Sequence, residues 1–155
     1  MNAEYVNAFL VPAVEVLRKL AGIRVRRGRA RRVEDVHVGG NLSVLIGLQG
    51  GLSGAVVLTA SREVAWALAG RIAGPGTEAE RDVHAVWTEV ANMIVGNATG
   101  FLEKLGVREA LTPPAILDGN GVRLEFGEGV ENVVLPLETD VGRVEMIVSL
   151  VREAP

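Results

Sequence analysis

The 155-residue chain has no cysteine. That removes disulfide frameworks, thiolate nucleophiles and cysteine-ligated metal or iron–sulfur centres, and it fits a reducing compartment. Aromatic residues make up only 4%, so a core has to be built from Val, Leu, Ile and Ala. No apolar run reaches the roughly eighteen residues that a membrane-spanning helix needs. Positive charge is not in excess either. The formal net charge is -3, which argues against nucleic acid as a general partner. The opening stretch, MNAEYVNAFLVPAVEV, lacks a basic segment and carries Glu4 and Glu15. It reads as mature protein, not as a signal peptide. What is abundant is aliphatic. Hydrophobic residues make up 48% of the chain, enough to fill the core of one domain spanning residues 1–155. The expectation is a soluble, cytoplasmic protein.

Apolar residues at helical spacing predict a helix over 2–21, interrupted by Pro12 and stopped by Gly22. Residues 23–38 alternate in places and read as extended. Asn41 to Ala60 reads as a β-hairpin turning at Gly50 and Gly51, with Gly54 as a bulge or a point of close backbone approach. Ser61 caps a helix that runs to about Ala73. Thr77 and Glu80 form a capping box for a long helix from Glu78 to Leu105, closed by Gly106. LTPPAILDGNG and GVRLEF are strand-like, with Pro113 and Pro114 suited to an edge. A last hairpin turns near Thr139 and Asp140. The fold class is therefore α+β, with a mainly antiparallel sheet and long helices packed on it. The two hairpins echo one another, and Glu-x-x-Asn occurs twice, at Glu4 and Asn7 and at Glu89 and Asn92. That echo is read either as an internal duplication or as the limited vocabulary of hairpins.

The long helix is odd in composition. VWTEVANMIVGNATGFLEKLG carries two asparagines, two threonines and glycines, all poor helix formers. Val83, Val86, Val90, Met93, Asn97 and Phe101 form one stripe, expected to be the buried side. Ala85, Glu89, Asn92, Gly96 and Gly100 form another, with an acid, an amide and bare backbone in a row. One reading is a helix packed closely on a second helix. The other is a flat docking face. There the carboxylate pairs with a partner's Lys or Arg, and the amide orients a water molecule.

The stretch WTEVANMIVGNATGFLEKLG…LTPPAIL resembles the CheC/CheX/FliY family of chemotaxis phosphatases, and its CheX-like branch in particular. The family motif is Glu-x-x-Asn on a long helix with a proline about two dozen residues later. Here these are Glu89, Asn92 and Pro113 or Pro114. The first helix, the central hairpin and the TPP strand entry fit in the same order. The resemblance implies a phosphatase acting on a phosphorylated CheY-like response regulator. It implies that Glu89 pairs with a regulator lysine and that Asn92 aligns water in line with phosphorus. Ala85, Gly96 and Gly100 would then belong to the docking face. The chain itself would bind no cofactor or metal; Mg²⁺ would come with the regulator. A homodimer is implied, without nucleic-acid or membrane partners. The chain departs from the family at Ala85, where Asp or Ser is common. That departure favours the rival reading, a docking module for a receiver, sensory or flagellar-switch partner that does not turn it over.

Three further features are weighed. Glu4 and Asn7 offer a possible second site, but they lie near the terminus and no glycines follow them. Arg24, Arg26, Arg27, Arg29, Arg31 and Arg32 read first as charged edge strands, which discourage sheet-to-sheet pairing. As a nucleic-acid patch the run lacks interleaved aromatics. His37 and His84 stand alone, without metal-ligand spacing.

Overall fold

The computed structural model describes residues 1–38, 41–74, 79–119 and 122–151. Helix α1 runs Ala3–Ala21 without a break at Pro12, which is buried. The Asn2 side chain accepts from the Glu4 N–H at its start, and Gly22 adopts φ 62° at its end. Both ends thus satisfy backbone groups that the helix leaves orphaned. Three short strands follow, β1 (Val25–Arg27), β2 (Arg31–Val33) and β3 (Val36–His37). The first hairpin is β4 (Asn41–Gly50) and β5 (Gly54–Ser61). Helix α2 (Arg62–Ala73) starts on a Ser61 cap that accepts from the Val64 N–H. Helix α3 spans Ala79–Lys104. The expected capping box begins at Thr77, which lies outside the described residues. Strands β6 (Glu109–Leu111), β7 (Ala115–Asp118) and β8 (Arg123–Leu124) lead to the second hairpin, β9 (Val130–Thr139) and β10 (Gly142–Val151).

The main sheet is antiparallel, in the order β1-β9-β10-β5-β4-β6, with β2 also on β9 and β7 also on β4. Its centre is the β5–β10 pairing, from Val144 opposite Ala60 to Leu150 opposite Gly54. Gly54 is there for close approach: a Cβ on it would run into the Ser149 carbonyl oxygen of β10. Pro113 and Pro114 fall between β6 and β7 on the sheet edge, where a missing N–H costs little.

The pairing registers settle the echo in favour of an internal repeat. Each half contributes a helix, a broken edge strand and a hairpin, and the edge strand crosses to the other half's hairpin. Thr139 pairs with Val25 as Gly50 pairs with Glu109. Val134 pairs with Arg31 as Leu45 pairs with Ala115. Aligned on the shared motif, Glu4 and Asn7 on α1 match Glu89 and Asn92 on α3, one residue out of step with the edge strands.

The helices cover one face of the sheet. Leu42, Val44, Ile46, Leu58, Leu135, Leu137 and Met146 from the sheet meet Phe9, Leu17, Trp87, Ile94 and Leu102 there, each at most 2% exposed. Burying a side chain of this size contributes about 1.5–3 kcal/mol. On the opposite face the small β3–β8 ribbon covers Val57, Val134 and Ile147. Ser43 and Thr59 are buried on that face and satisfy each other at 2.7 Å, with Asn41 adding a bond to Thr59 at 3.1 Å. The arginine run lies along the β1–β2 edge. Arg24, Arg31 and Arg32 pair with Asp140, Glu145 and Glu131 at 3.1–3.6 Å. Among the described residues no helix is long and apolar enough to cross a membrane.

Candidate functional site

Helix α3 packs on α1 and α2, and its two faces differ sharply. The buried arc is Val83, Trp87, Val90, Ala91, Ile94, Val95, Ala98 and Leu102. The expected buried stripe is therefore corrected. Val83 and Val90 belong to the buried arc, but Val86, Met93 and Phe101 are only partly buried and Asn97 is exposed. The arc centres instead on Trp87, Ala91, Ile94 and Ala98. The alanines explain the shift. They are 2% and 0% exposed, and their small side chains let the neighbouring helix come close.

The opposite side carries the second stripe as expected. Ala85, Glu89, Gly96 and Gly100 are exposed and Asn92 is half-buried. Glu89 and Asn92 are one turn apart on that face. A helical side chain leans toward the N-terminus, so the Asn92 amide lies over the turn that carries Glu89. Neither side chain has a hydrogen-bond or ion-pair partner among the described residues. Both are therefore free to meet a partner.

The glycines answer the question that their composition raises. A Cβ added at Gly96 or at Gly100 would meet nothing within 4 Å. No neighbouring element of the fold requires bare backbone at either place. The helix bears the cost of two glycines, about 1 kcal/mol each relative to alanine, without a packing return inside the chain. Thr99 spans this segment, donating its hydroxyl to the Gly96 carbonyl at 2.6 Å.

The family profile described as "Chemotaxis phosphatase CheX" matches residues 42–138, which include Glu89 and Asn92. The chain belongs to the CheX family. The CheY-P phosphatase CheX of Thermotoga maritima is 28% identical over 130 residues, which is 82% of this chain and 84% of that protein. The crystal structure of a CheX from Desulfovibrio desulfuricans superposes with a TM-score of 0.87 at 23% identity, covering 95% of this chain and 99% of that one. A CheX–CheY–BeF₃–Mg²⁺ complex from Borrelia burgdorferi gives a TM-score of 0.78 at 24% identity, covering 96% and 98%. These two structures establish the shared fold.

The other candidates separate from this face. Glu4 and Asn7 are exposed on the first turns of α1. The α1 residues in register with Gly96 and Gly100 are Val11 and Glu15, so side chains stand where α3 is bare. His37 lies exposed on β3. His84, just before Ala85, is tied down: its Nε2 lies 2.9 Å from Asp118 Oδ2, while Arg62 Nη2 lies 2.6 Å from Asp118 Oδ1. Burial pushes the Asp118 carboxyl up, but hydrogen bonds and charge from His84 and Arg62 outweigh it and hold it below the ordinary 3.8. This cluster links α2, α3 and β7. Sequence reasoning did not anticipate it, since its members lie far apart in the chain. Trp66 was also passed over. It sits on α2 outside the buried positions Ala65, Leu68 and Ala69, and a tryptophan off the apolar face of an amphipathic helix was the available signal.

Proposed function

We propose that this chain accelerates hydrolysis of the aspartyl phosphate of a CheY-like response regulator, with Glu89 docking and Asn92 positioning water. One observation carries the reading. In a chain of the CheX family, an unpaired carboxylate and an amide share a solvent-facing turn of α3, followed by backbone that nothing else in the fold needs bare.

The chemistry asks little else of this chain. Phosphoryl transfer is governed by positioning and electrostatics. The regulator supplies the phosphoryl group and Mg²⁺, which neutralises phosphoryl charge when bound. Among the described residues no three His, Asp or Glu side chains converge as a metal site. Glu89, extended from the helix, pairs with a regulator lysine and sets the register of docking. The Asn92 carbonyl oxygen accepts from a water molecule and its amide N–H groups remain free for the phosphoryl oxygens. The water is thereby held in line with phosphorus. Bare backbone at Gly96 and Gly100 lets the receiver approach the helix closely. In this reading residues 1–155 act as one domain, in the cytoplasm and as a homodimer.

The test is the decay of a phosphorylated CheY-like receiver at fixed Mg²⁺. Wild-type protein accelerates it, and Asn92→Ala lowers the rate roughly 10²-fold or more while far-UV circular dichroism is unchanged. An Asn92→Ala rate equal to wild type removes its assigned role. Glu89→Lys weakens association with the regulator, and unchanged affinity removes the docking role. The exposed methyl of Ala85 offers no polar group to a partner, which favours docking without turnover as the second reading. Binding without any acceleration selects it.

A further inference from the structure

Beside the start of the α3 face lies a cavity of about 290 Å³. Its walls include Arg62, Glu63 and Trp66 from α2, Val83 and His84 from α3, and Asp118 from β7. Trp66 is 56% exposed, although large aromatics are scarce in this chain and Trp87, the other tryptophan, is fully buried. Exposing an indole forgoes its burial energy, so a partner surface is the economical explanation. The cavity walls are fixed in place, because Asp118 is held by Arg62 on one side and His84 on the other.

The charges define what fits. Arg62, His84 and Asp118 satisfy one another within the wall. Glu63 lines the same cavity and is exposed, with no hydrogen-bond or ion-pair partner among the described residues. An open indole next to a free carboxylate suits a long cationic side chain. Its methylene stem lies on the ring and its head meets the carboxylate. The cavity also shares a helix with the proposed docking face, since Val83 and His84 of α3 line it one to two turns before Glu89.

We infer that the Trp66 cavity is a second contact for the response regulator and receives a Lys or Arg side chain from it. This rests on the proposed phosphatase reading and deepens it. It also distinguishes the two Glu-x-x-Asn pairs. Among the described residues α2 has no counterpart in the second half of the repeat, and the cavity it forms is shared with α3, the helix that carries Glu89 and Asn92. Docking that engages both features presents the regulator to the α3 pair alone.

The experiment uses a CheY receiver activated with beryllofluoride and Mg²⁺, titrated into wild type, Trp66→Ala, Glu63→Lys and Asn92→Ala and followed by calorimetry, with hydrolysis of the phosphorylated receiver measured alongside. Trp66→Ala weakens binding about tenfold or more, Glu63→Lys does so with charge reversal, and both losses appear in KM. Trp66 is exposed, so its replacement leaves the thermal midpoint close to wild type. Binding by both variants within twofold of wild type overturns the cavity contact, while loss of hydrolysis in Asn92→Ala still upholds the site on α3. A wild-type protein that neither binds nor accelerates overturns both.

Discussion

Replacing Gly96 and Gly100 together by alanine separates what the fold needs from what a partner needs. Both positions lie in the interior of α3, and an added Cβ at either meets nothing within 4 Å. Alanine is favoured over glycine in a helix interior by about 0.8–1.0 kcal/mol. With both side chains pointing to solvent the two gains add to about 2 kcal/mol. For a chain of this size about 1 kcal/mol raises the thermal midpoint by about 2–4 °C, so the double variant melts about 4–8 °C higher. Its effect on the partner has the opposite sign. Two methyl groups placed in a close contact force the surfaces apart, and overpacking costs about 1–3 kcal/mol. That corresponds to a rise of about 5- to 150-fold in KM for the phosphorylated receiver. The assays are thermal unfolding by circular dichroism and receiver dephosphorylation over a range of receiver concentrations. A double variant no more stable than wild type refutes the claim that the glycines lack an intramolecular role. A stabilised variant with wild-type KM refutes the claim that bare backbone serves docking.

Two other expectations are independent of that result. Glu109 is raised above its ordinary 4.5 because burial outweighs the hydrogen bond it accepts from the Leu52 N–H. A raised carboxyl contributes fully below the unfolded value and loses that contribution as pH rises through the folded value. Glu109→Gln is therefore more stable than wild type at neutral pH, with the advantage fading as pH falls through the raised folded value and gone below the ordinary 4.5; an equal advantage at pH 3 and pH 7 contradicts the assignment. Replacing Glu4 and Asn7 by alanine together changes receiver dephosphorylation by less than about twofold, because the proposed site is on α3. A loss comparable to that of Asn92→Ala assigns α1 a working site.

Much of the local structure was legible because its causes are local. Ser61 caps a helix, Gly22 and Gly106 end helices at positive φ, and Gly54 marks a close approach. The hairpins followed from apolar runs flanking turn residues. Two things were not legible. The first was how the halves join. Nothing in residues 25–33 names β9 as their partner, since pairing across the chain is set by the shared core and not by neighbouring residues. The second was the buried side of α3. Spacing of large apolar residues pointed to Val86, Met93 and Phe101, whereas two helices packed on α3 bury the alanines between them. A reading weighted by side-chain size undervalues positions where closeness matters more than bulk.

The internal repeat makes the candidate site sharper than its motif. Glu-x-x-Asn occurs on both helices at equivalent places, so those residues alone cannot select between them. The surroundings do. One turn and two turns beyond Asn92 the backbone is bare, while the matching residues of α1 are Val11 and Glu15, a branched side chain and a second acid. A regulator brought up to α1 would meet the Val11 side chain one turn beyond Asn7, where α3 presents bare backbone at Gly96. The same sheet thus supports two helices with the same polar pair, and of the two only α3 has glycine one turn and two turns beyond it. The site is defined by what has been removed from the helix as much as by the acid and amide that remain.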